Sequence, residues 1–218
     1  MNENNQTDLA IDNLDWPNLA YYRDQNKILN NSEKNKNQVV FMGDSITEGW
    51  SNFYPEFFKR NNFINRGISG QTTPQMLIRF KPDVVDLSPR AVIILGGTND
   101  IAENTGPSTT KMIADNIFSM AEVGAKNNIP VFLSSVLPVY KYIWNLSIEN
   151  PSKKILKLNE KINGYAKSND LVYIDYYSSM VDERGGLKKE FSGDGVHPNK
   201  DGYDIMSNIV SSAIDTFI

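Results

Sequence analysis

The sequence lacks cysteine altogether and has a single histidine, His197. The absence of cysteine excludes disulfide bonds and thiolate metal sites, and one histidine cannot build a metal centre from several imidazoles. A thiolate or histidine-rich metal centre is therefore not expected, and scattered aspartates such as Asp100, Asp175 and Asp182 are more often solvated or capping than bound to a cation. Any reaction that needs an imidazole has to use His197, which makes the surroundings of that residue the first place to search for a site.

The sequence also lacks a surplus of positive charge and any long apolar run. Its net charge is −4 at pH 7, so nucleic acid is a poor candidate for a partner. No apolar stretch approaches the ~20 residues of a membrane span. Residues 1–12 show no basic-then-apolar signal pattern, so we expect a cytoplasmic protein, or an exported one whose signal has already been removed.

What the sequence does contain is a regular alternation of apolar runs with helical stretches, typical of a parallel sheet covered by helices on both faces. The apolar runs are 39–42, 63–65, 91–95, 130–133 and 171–174. They predict a three-layer α/β/α sandwich with a five-stranded parallel sheet in the flavodoxin-like order 2-1-3-4-5. We assign this domain to residues 37–218.

Residues 1–36 are predicted to form an extension of that domain. The first twelve residues are rich in Asn, Gln and Asp and are expected to be disordered. Residues 14–22 contain several aromatic side chains, which favour a short helix docked on the domain, and residues 30–37 read as a polar loop.

The first strand ends in Gly43-Asp44-Ser45, and this places a serine where open α/β sheets bind their ligands. Free backbone N–H groups and the helix dipole favour negative charge there. Ser45 is therefore a candidate nucleophile. Its neighbour Asp44 is a candidate for substrate binding.

The single histidine follows Asp194 by three residues in a glycine-bearing turn, so the carboxylate can reach the imidazole. Such a bond fixes the tautomer of the ring and makes the histidine a suitable general base for a serine. A lone histidine is more often structural, and that alternative stays open for His197 on the sequence alone.

A serine nucleophile needs donors aimed at the oxygen that becomes negative during the reaction. The candidates are the backbone N–H of Ser45, the backbone N–H of Gly70 and the side-chain amide of Asn99. Glycine lets a backbone approach a substrate closely. Taken singly, Gly70 and Asn99 are better explained as ordinary turn residues.

With Ser, Gly, Asn and His on separate loops, the sequence resembles the SGNH hydrolase superfamily, also called the GDSL esterases and lipases. The blocks that carry the resemblance are Gly43-Asp44-Ser45-Ile46-Thr47, Asn65-Arg66-Gly67-Ile68-Ser69-Gly70, Gly96-Gly97-Thr98-Asn99-Asp100 and Asp194-Gly195-Val196-His197-Pro198. They occur in the order that the family shows. One small departure is Ile46, where many members have leucine.

The resemblance implies a carboxylic ester hydrolase that works without a cofactor. Ser45 would be the nucleophile, His197 its base and Asp194 the partner of the histidine. Ser45, Gly70 and Asn99 would form the oxyanion hole. Within the superfamily, the sequence looks most like lysophospholipase-like and platelet-activating-factor-acetylhydrolase-like acylhydrolases.

The substrate is less well determined by the sequence. Tyr140 and Trp144 lie in an aromatic insert after the fourth strand, where they can contact substrate or hold down their own loop. Since no long apolar lid is present, we expect a small-molecule or carbohydrate ester with a short acyl group, acetyl above all. The alternatives are a lysophospholipase or lipase-type acylhydrolase and a non-catalytic carbohydrate-binding relative.

Overall fold

The computed structural model of the protein describes residues 15–31 and 38–217. At its centre lies a parallel sheet of five strands in the order β2-β1-β3-β4-β5, as predicted. The strands are β1 (Val39–Gly43), β2 (Phe63–Gly67), β3 (Ala91–Leu95), β4 (Val131–Ser134) and β5 (Val172–Ile174). Because all of them run in one direction, their carboxyl ends meet at a single edge of the sheet.

Helices cover both faces of this sheet. They are α1 (Arg23–Asn31), α2 (Ser45–Phe53), α3 (Pro55–Arg60), α4 (Thr73–Asp83), α5 (Thr98–Ile101), α6 (Thr110–Lys126), α7 (Pro151–Ser168), α8 (Tyr177–Met180) and α9 (Lys200–Phe217). Short 3₁₀ turns lie at Val85–Leu87 and Lys189–Phe191. The three-layer prediction is confirmed.

The alternation of side chains along the strands divides the core in two. Val40 and Met42 of β1 belong to the cluster that packs under α4, α6 and α7. Val39 and Phe41 point the other way, into the cluster under α2, α3 and α9. Both faces of the strand are apolar, which explains why its sequence is an unbroken apolar run.

The prediction of a helix at residues 14–22 is wrong, because residues 15–22 form turns and irregular chain and the helix begins only at Arg23. Asn18 adopts a left-handed backbone conformation, with a φ of 57°. The Asp15 carboxylate accepts hydrogen bonds from two backbone N–H groups of this turn, at 2.8 and 2.7 Å. Side-chain bonds of this kind compete with helix formation.

The other predictions for the amino-terminal region fall partly outside the described residues. The segment expected to be disordered, residues 1–12, is among those not described, and so is most of the predicted polar loop. Of that loop, the described Asn30 and Asn31 belong to the end of α1.

A fully buried arginine links the ends of the first two strands. The Arg79 guanidinium, in α4, donates hydrogen bonds to the carbonyls of Gly43 and Arg66, both at 2.8 Å. It also donates to the Gln71 side chain and to Asp83, the latter at 2.9 Å. One side chain therefore fixes the carboxyl ends of β1 and β2 against α4.

Residues 15–31 pack against the same region. The Gln71 side-chain amide donates to the carbonyl of Pro17 at 2.7 Å, and Arg66 donates to Asn26 Oδ1 at 2.8 Å. Gln71 and Arg66 are nearly inaccessible to solvent. The amino-terminal segment thus supplies hydrogen-bond acceptors for polar groups that are buried next to the sheet edge.

The end of β2 lies against the start of α2 with no room for a side chain. A Cβ atom on Gly67 would lie 2.1 Å from the backbone nitrogen of Glu48 and 2.7 Å from the carbonyl oxygen of Asp44. Both are backbone atoms, which cannot move aside as the tip of a flexible side chain can. Glycine at this position therefore sets the distance between the strand and the helix that begins at Ser45.

We expect the Gly67→Ala variant to lower the free energy of unfolding by about 3 kcal/mol or more, because the added methyl overlaps fixed backbone. Urea denaturation followed by circular dichroism measures this. The control is Gly164→Ala, at an exposed position of α7 where an added Cβ meets nothing within 4 Å. That change should stabilise the protein by about 0.5–1 kcal/mol. Wild-type stability of Gly67→Ala would contradict the packing argument.

Candidate active site

Ser45 is the first residue of α2, directly after the turn that ends β1. Asp44 is the N-cap of α2: its backbone is extended, and its carboxylate accepts the N–H of Ile46 at 2.9 Å. The backbone N–H of Ser45 lies in the first helical turn, where N–H groups have no acceptor within the helix. The residue therefore brings a hydroxyl and a free N–H group to the same place.

His197 reaches Ser45 from the loop that precedes α9. Its Nε2 lies 3.0 Å from Ser45 Oγ, and its Nδ1 lies 2.7 Å from Asp194 Oδ2. The second carboxylate oxygen of Asp194 accepts the backbone N–H groups of Val196 and His197, at 2.9 and 2.8 Å. The structure thus joins the three predicted residues in one hydrogen-bonded chain.

The environment of Asp194 keeps its carboxylate ionised. Partial burial alone would raise the pKa of Asp194, but the His197 ring outweighs this together with the backbone N–H groups of His197 and Val196. The result is a pKa of about 2. An ionised Asp194 accepts the Nδ1–H of His197, which leaves the lone pair of Nε2 directed at the Ser45 hydroxyl.

Ser192 holds the turn that carries Asp194 and His197, a role that the sequence analysis missed. Its hydroxyl accepts the N–H of Gly195 at 2.9 Å and donates to the carbonyl of His197 at 2.7 Å. Serine beside glycine in a loop is a common turn signal, and it could have pointed to this residue.

An open cavity of about 340 Å³ lies over the Ser45 hydroxyl. Its lining consists of Ser45, Ser69, Gly70, Asn99, Asn104, Trp144 and His197. The two predicted oxyanion-hole residues, Gly70 and Asn99, are therefore on the cavity wall. Ser69 and Asn104 are additional lining residues that the sequence analysis did not single out.

The backbone of Gly70 turns with a φ of +77°, a conformation that glycine adopts without strain. Its N–H has no acceptor among the described residues, so it is available to a ligand. Asn99 Nδ2 donates one of its two hydrogens to the carbonyl of Gln71 at 3.0 Å. The second hydrogen remains for the cavity.

The structure separates the three predicted substrate-binding residues. Only Trp144 lines the cavity, with its ring centroid 6.2 Å from that of His197. Tyr140 packs under the guanidinium of Arg184, which lies 5.3 Å from its ring centre. Asp44 is 1% exposed and faces α2 rather than the cavity. The sequence could not distinguish Trp144 from Tyr140, because both are aromatic residues of the same insert.

The insert is held in place by a third aromatic residue. Tyr142 is buried, and its hydroxyl lies 2.9 Å from Thr98 Oγ1, in the residue before Asn99. Its ring is 5.2 Å from that of Trp144. Tyr142 thus holds the loop, and Trp144 faces the cavity, where its contact with a substrate stays a prediction.

The described part of the chain contains neither a candidate metal cluster nor a candidate membrane span. Residues 15–31 and 38–217 contain no group of three or more His, Asp or Glu side chains that could hold a metal ion. Within the same ranges, no helix combines the length and the apolar character needed to cross a bilayer.

Comparison with known proteins decides the family. The model of the GDSL-like Lipase/Acylhydrolase family matches residues 41–205, well over half of the sequence. The chain belongs to this family. The resemblance to the SGNH hydrolases is confirmed, and the protein is an ester hydrolase of the GDSL type.

Solved structures and a curated relative extend this result. A GDSL-like lipase from Bacteroides thetaiotaomicron VPI-5482 is 45% identical, with a TM-score of 0.90 over 93% of this chain and 99% of that one. A catalytic mutant of an acetylxylan esterase from Geobacillus stearothermophilus is 16% identical, with a TM-score of 0.68 over 82% of this chain and 94% of that one, and shows the fold alone. The uncharacterized lipoprotein YqeF of Bacillus subtilis (strain 168) is 27% identical over 168 residues, covering 69% of this chain and 60% of the lipoprotein.

The burial of Asp44 predicts a pH effect on the stability of this GDSL hydrolase. Burial raises the pKa of Asp44 to about 7, although the N–H of Ile46 and the nearby His197 act in the opposite direction. A carboxyl with a raised folded-state pKa binds its proton more tightly in the folded protein than in the unfolded chain. Its contribution to stability therefore falls as the pH rises from about 4 to about 7.

We test this with Asp44→Asn, which keeps a capping oxygen for the N–H of Ile46 but does not titrate. Urea unfolding of both proteins between pH 4 and pH 8 gives the difference in their free energies of unfolding. The wild type should lose stability relative to the variant up to about pH 7, with a constant difference above it. A difference independent of pH would contradict the assignment of the raised pKa to Asp44.

Proposed function

We propose that the protein hydrolyses short-chain acyl esters, acetyl esters above all, with Ser45 as nucleophile, His197 as general base and Asp194 as the partner of the histidine. The observation that carries this proposal is the hydrogen-bonded chain from Asp194 through His197 to the Ser45 hydroxyl at the floor of an open cavity. A hydroxyl paired with a base that is itself oriented by a carboxylate is the usual arrangement of an activated serine.

In the first half of the reaction, His197 Nε2 takes the proton as Ser45 Oγ attacks the ester carbonyl. The N–H groups of Ser45 and Gly70 and the Asn99 amide stabilise the negative oxygen of the tetrahedral intermediate. The imidazolium is stabilised by the Asp194 carboxylate at 2.7 Å. His197 then protonates the leaving alcohol, and the acyl group stays on Ser45.

In the second half, water takes the place of the alcohol. His197 removes a proton from this water, whose oxygen attacks the acyl carbonyl, and the same donors stabilise the second oxyanion. The proton returns from His197 to Ser45 Oγ as the acid leaves. The cycle is balanced without a metal ion or an organic cofactor.

The lining of the cavity supports a short acyl group. A long acyl chain gains its affinity by removing apolar surface from water, which requires a continuous apolar wall. Of the lining residues, Trp144 alone contributes a large apolar side chain, and the others are polar or glycine. An acetyl group needs little such surface, whereas most of a long chain would remain in contact with water.

A carbohydrate alcohol is supported by the position of Trp144. Trp144 is 45% exposed, and its ring lies beside that of His197, which protonates the departing alcohol. Sugar rings present apolar C–H faces that pack on aromatic rings while their hydroxyls stay in water. The acetylxylan esterase that shares the fold fits this proposal but does not establish the substrate of this chain.

The nucleophile is tested with Ser45→Ala, which removes the attacking oxygen. We expect hydrolysis of p-nitrophenyl acetate to fall to background while the circular dichroism spectrum and thermal midpoint stay near those of the wild type. Ser212→Ala, on the exposed side of α9, serves as the matched control and should keep full activity. Turnover by Ser45→Ala at the wild-type rate would refute the proposal.

The sugar contact is tested with Trp144→Ala on acetylated xylooligosaccharides. We expect kcat/KM for these substrates to fall roughly tenfold more than kcat/KM for p-nitrophenyl acetate, because only the sugar needs the ring face. Tyr140→Ala is the control, since this aromatic of the same insert is at least as exposed as Trp144 but lies outside the cavity lining. Equal losses on both substrates would argue against a sugar site at Trp144. A panel that includes a lysophospholipid tests the lipase-type alternative.

A further inference from the structure

Asn104 is a cavity residue without a role in the proposed chemistry, yet its side chain contacts three parts of the wall. Its Nδ2 donates to Asn99 Oδ1 at 3.0 Å and to the carbonyl of Gly70 at 3.2 Å. Its Oδ1 accepts the indole N–H of Trp144 at 3.3 Å. One amide therefore bonds to two of the three loops proposed for the oxyanion hole, those of Gly70 and Asn99, and to the aromatic insert.

The bond from Asn104, together with the one to Gln71, decides which end of the Asn99 amide faces the cavity. Asn99 Nδ2 donates to the carbonyl of Gln71, and Asn99 Oδ1 accepts from Asn104. Rotating the Asn99 amide by half a turn would set two acceptors face to face at Gln71 and two donors face to face at Asn104. The observed orientation therefore leaves an N–H group, rather than a carbonyl oxygen, for the substrate.

Asn104 can exert this control because its own backbone is fixed. Its N–H donates to the carbonyl of Asn99 at 3.0 Å, and Glu103 before it turns the chain with a φ of 60°. The next residue, Thr105, contacts the hydroxyl of Thr72 at 3.1 Å. The turn is thus anchored on both sides of Asn104, and the side chain is held at the cavity wall.

We propose that Asn104 is a positioning residue that orients the Asn99 amide in the oxyanion hole. This inference rests on the proposed function, in which Asn99 stabilises the negative oxygen. Asn104 touches no reacting atom in that scheme and acts through Asn99. Asn104 also holds the carbonyl of Gly70, whose own N–H is another proposed donor of the oxyanion hole. Through its Oδ1 it holds the Trp144 ring, which faces the alcohol in the proposed reaction.

The test is a double-mutant cycle on p-nitrophenyl acetate. Asn104→Ala should lower kcat roughly tenfold, the scale of one hydrogen bond, with little change in KM. Asn99→Ala should lower kcat by roughly 10²–10³, the loss of one oxyanion donor. The double variant should be no slower than Asn99→Ala, because Asn104 then has nothing left to orient. Independent, multiplicative losses would overturn the proposal.

A second variant separates positioning from simple space filling. Asn104→Asp keeps the shape of the side chain but replaces the donor by a carboxylate oxygen, which would face Asn99 Oδ1 and the carbonyl of Gly70. We expect it to be at least as slow as Asn104→Ala. Rescue of kcat by aspartate would show that only the volume matters. Asn169→Ala, at an exposed helix end outside the cavity lining, is the control and should match the wild type.

A crystal structure of Asn104→Ala keeps this inference distinct from the proposed function. We expect the Asn99 side chain to leave its present orientation, with Nδ2 no longer near the carbonyl of Gln71. An unchanged Asn99 would overturn the inference whatever the activity. If Ser45→Ala is inactive but the kcat losses of Asn104→Ala and Asn99→Ala multiply in the double variant, only the role of Asn104 fails. If Ser45→Ala remains active, the proposed function fails, and the orientation of Asn99 still tests the inference.

Discussion

The geometry of the site depends on the hydrogen bonds that the Arg79 guanidinium donates to two strand ends. It is fully buried, and its bonds to the carbonyls of Gly43 and Arg66 hold the ends of two neighbouring strands. Removing one partner of a buried ion pair typically costs about 3–5 kcal/mol, because the other charge is then left without compensation. Ser45 and Gly70 follow these two strand ends closely. The Arg79 side chain therefore helps to fix the positions of both the Ser45 hydroxyl and the Gly70 N–H.

The carboxyl groups of Asp194 and Asp44, both near the Ser45 hydroxyl, have pKa values shifted in opposite directions, and their hydrogen-bond partners and burial explain the difference. Asp194 accepts several N–H groups and stays ionised far below neutral pH. Asp44 is buried with one strong backbone donor, at Ile46, and its pKa is raised. Both residues stand in motifs typical of the family, but the sequence shows only two acidic residues. The number of donors around each one is a property of the folded chain.

The sequence predicts what local patterns and sheet topology determine. Apolar runs locate the strands, and the rule that parallel strands end at one edge brings Ser45 and His197 together although they are 152 positions apart. It does not predict what depends on side-chain bonds between distant loops. The turns within residues 15–22 arise from a local carboxylate that competes with a helix, and the contacts of Asn104 form only when three loops pack together.

The docking of residues 15–31 has a consequence for how the protein is made. The bond from Gln71 to Pro17 closes a loop of 54 positions, and that from Asn26 to Asp83 one of 57. Closing such loops is entropically unfavourable until the residues at the far end are ordered. Since residues 15–31 leave the ribosome before Gln71 and Asp83, their contacts with these residues can form only after α4 has also emerged.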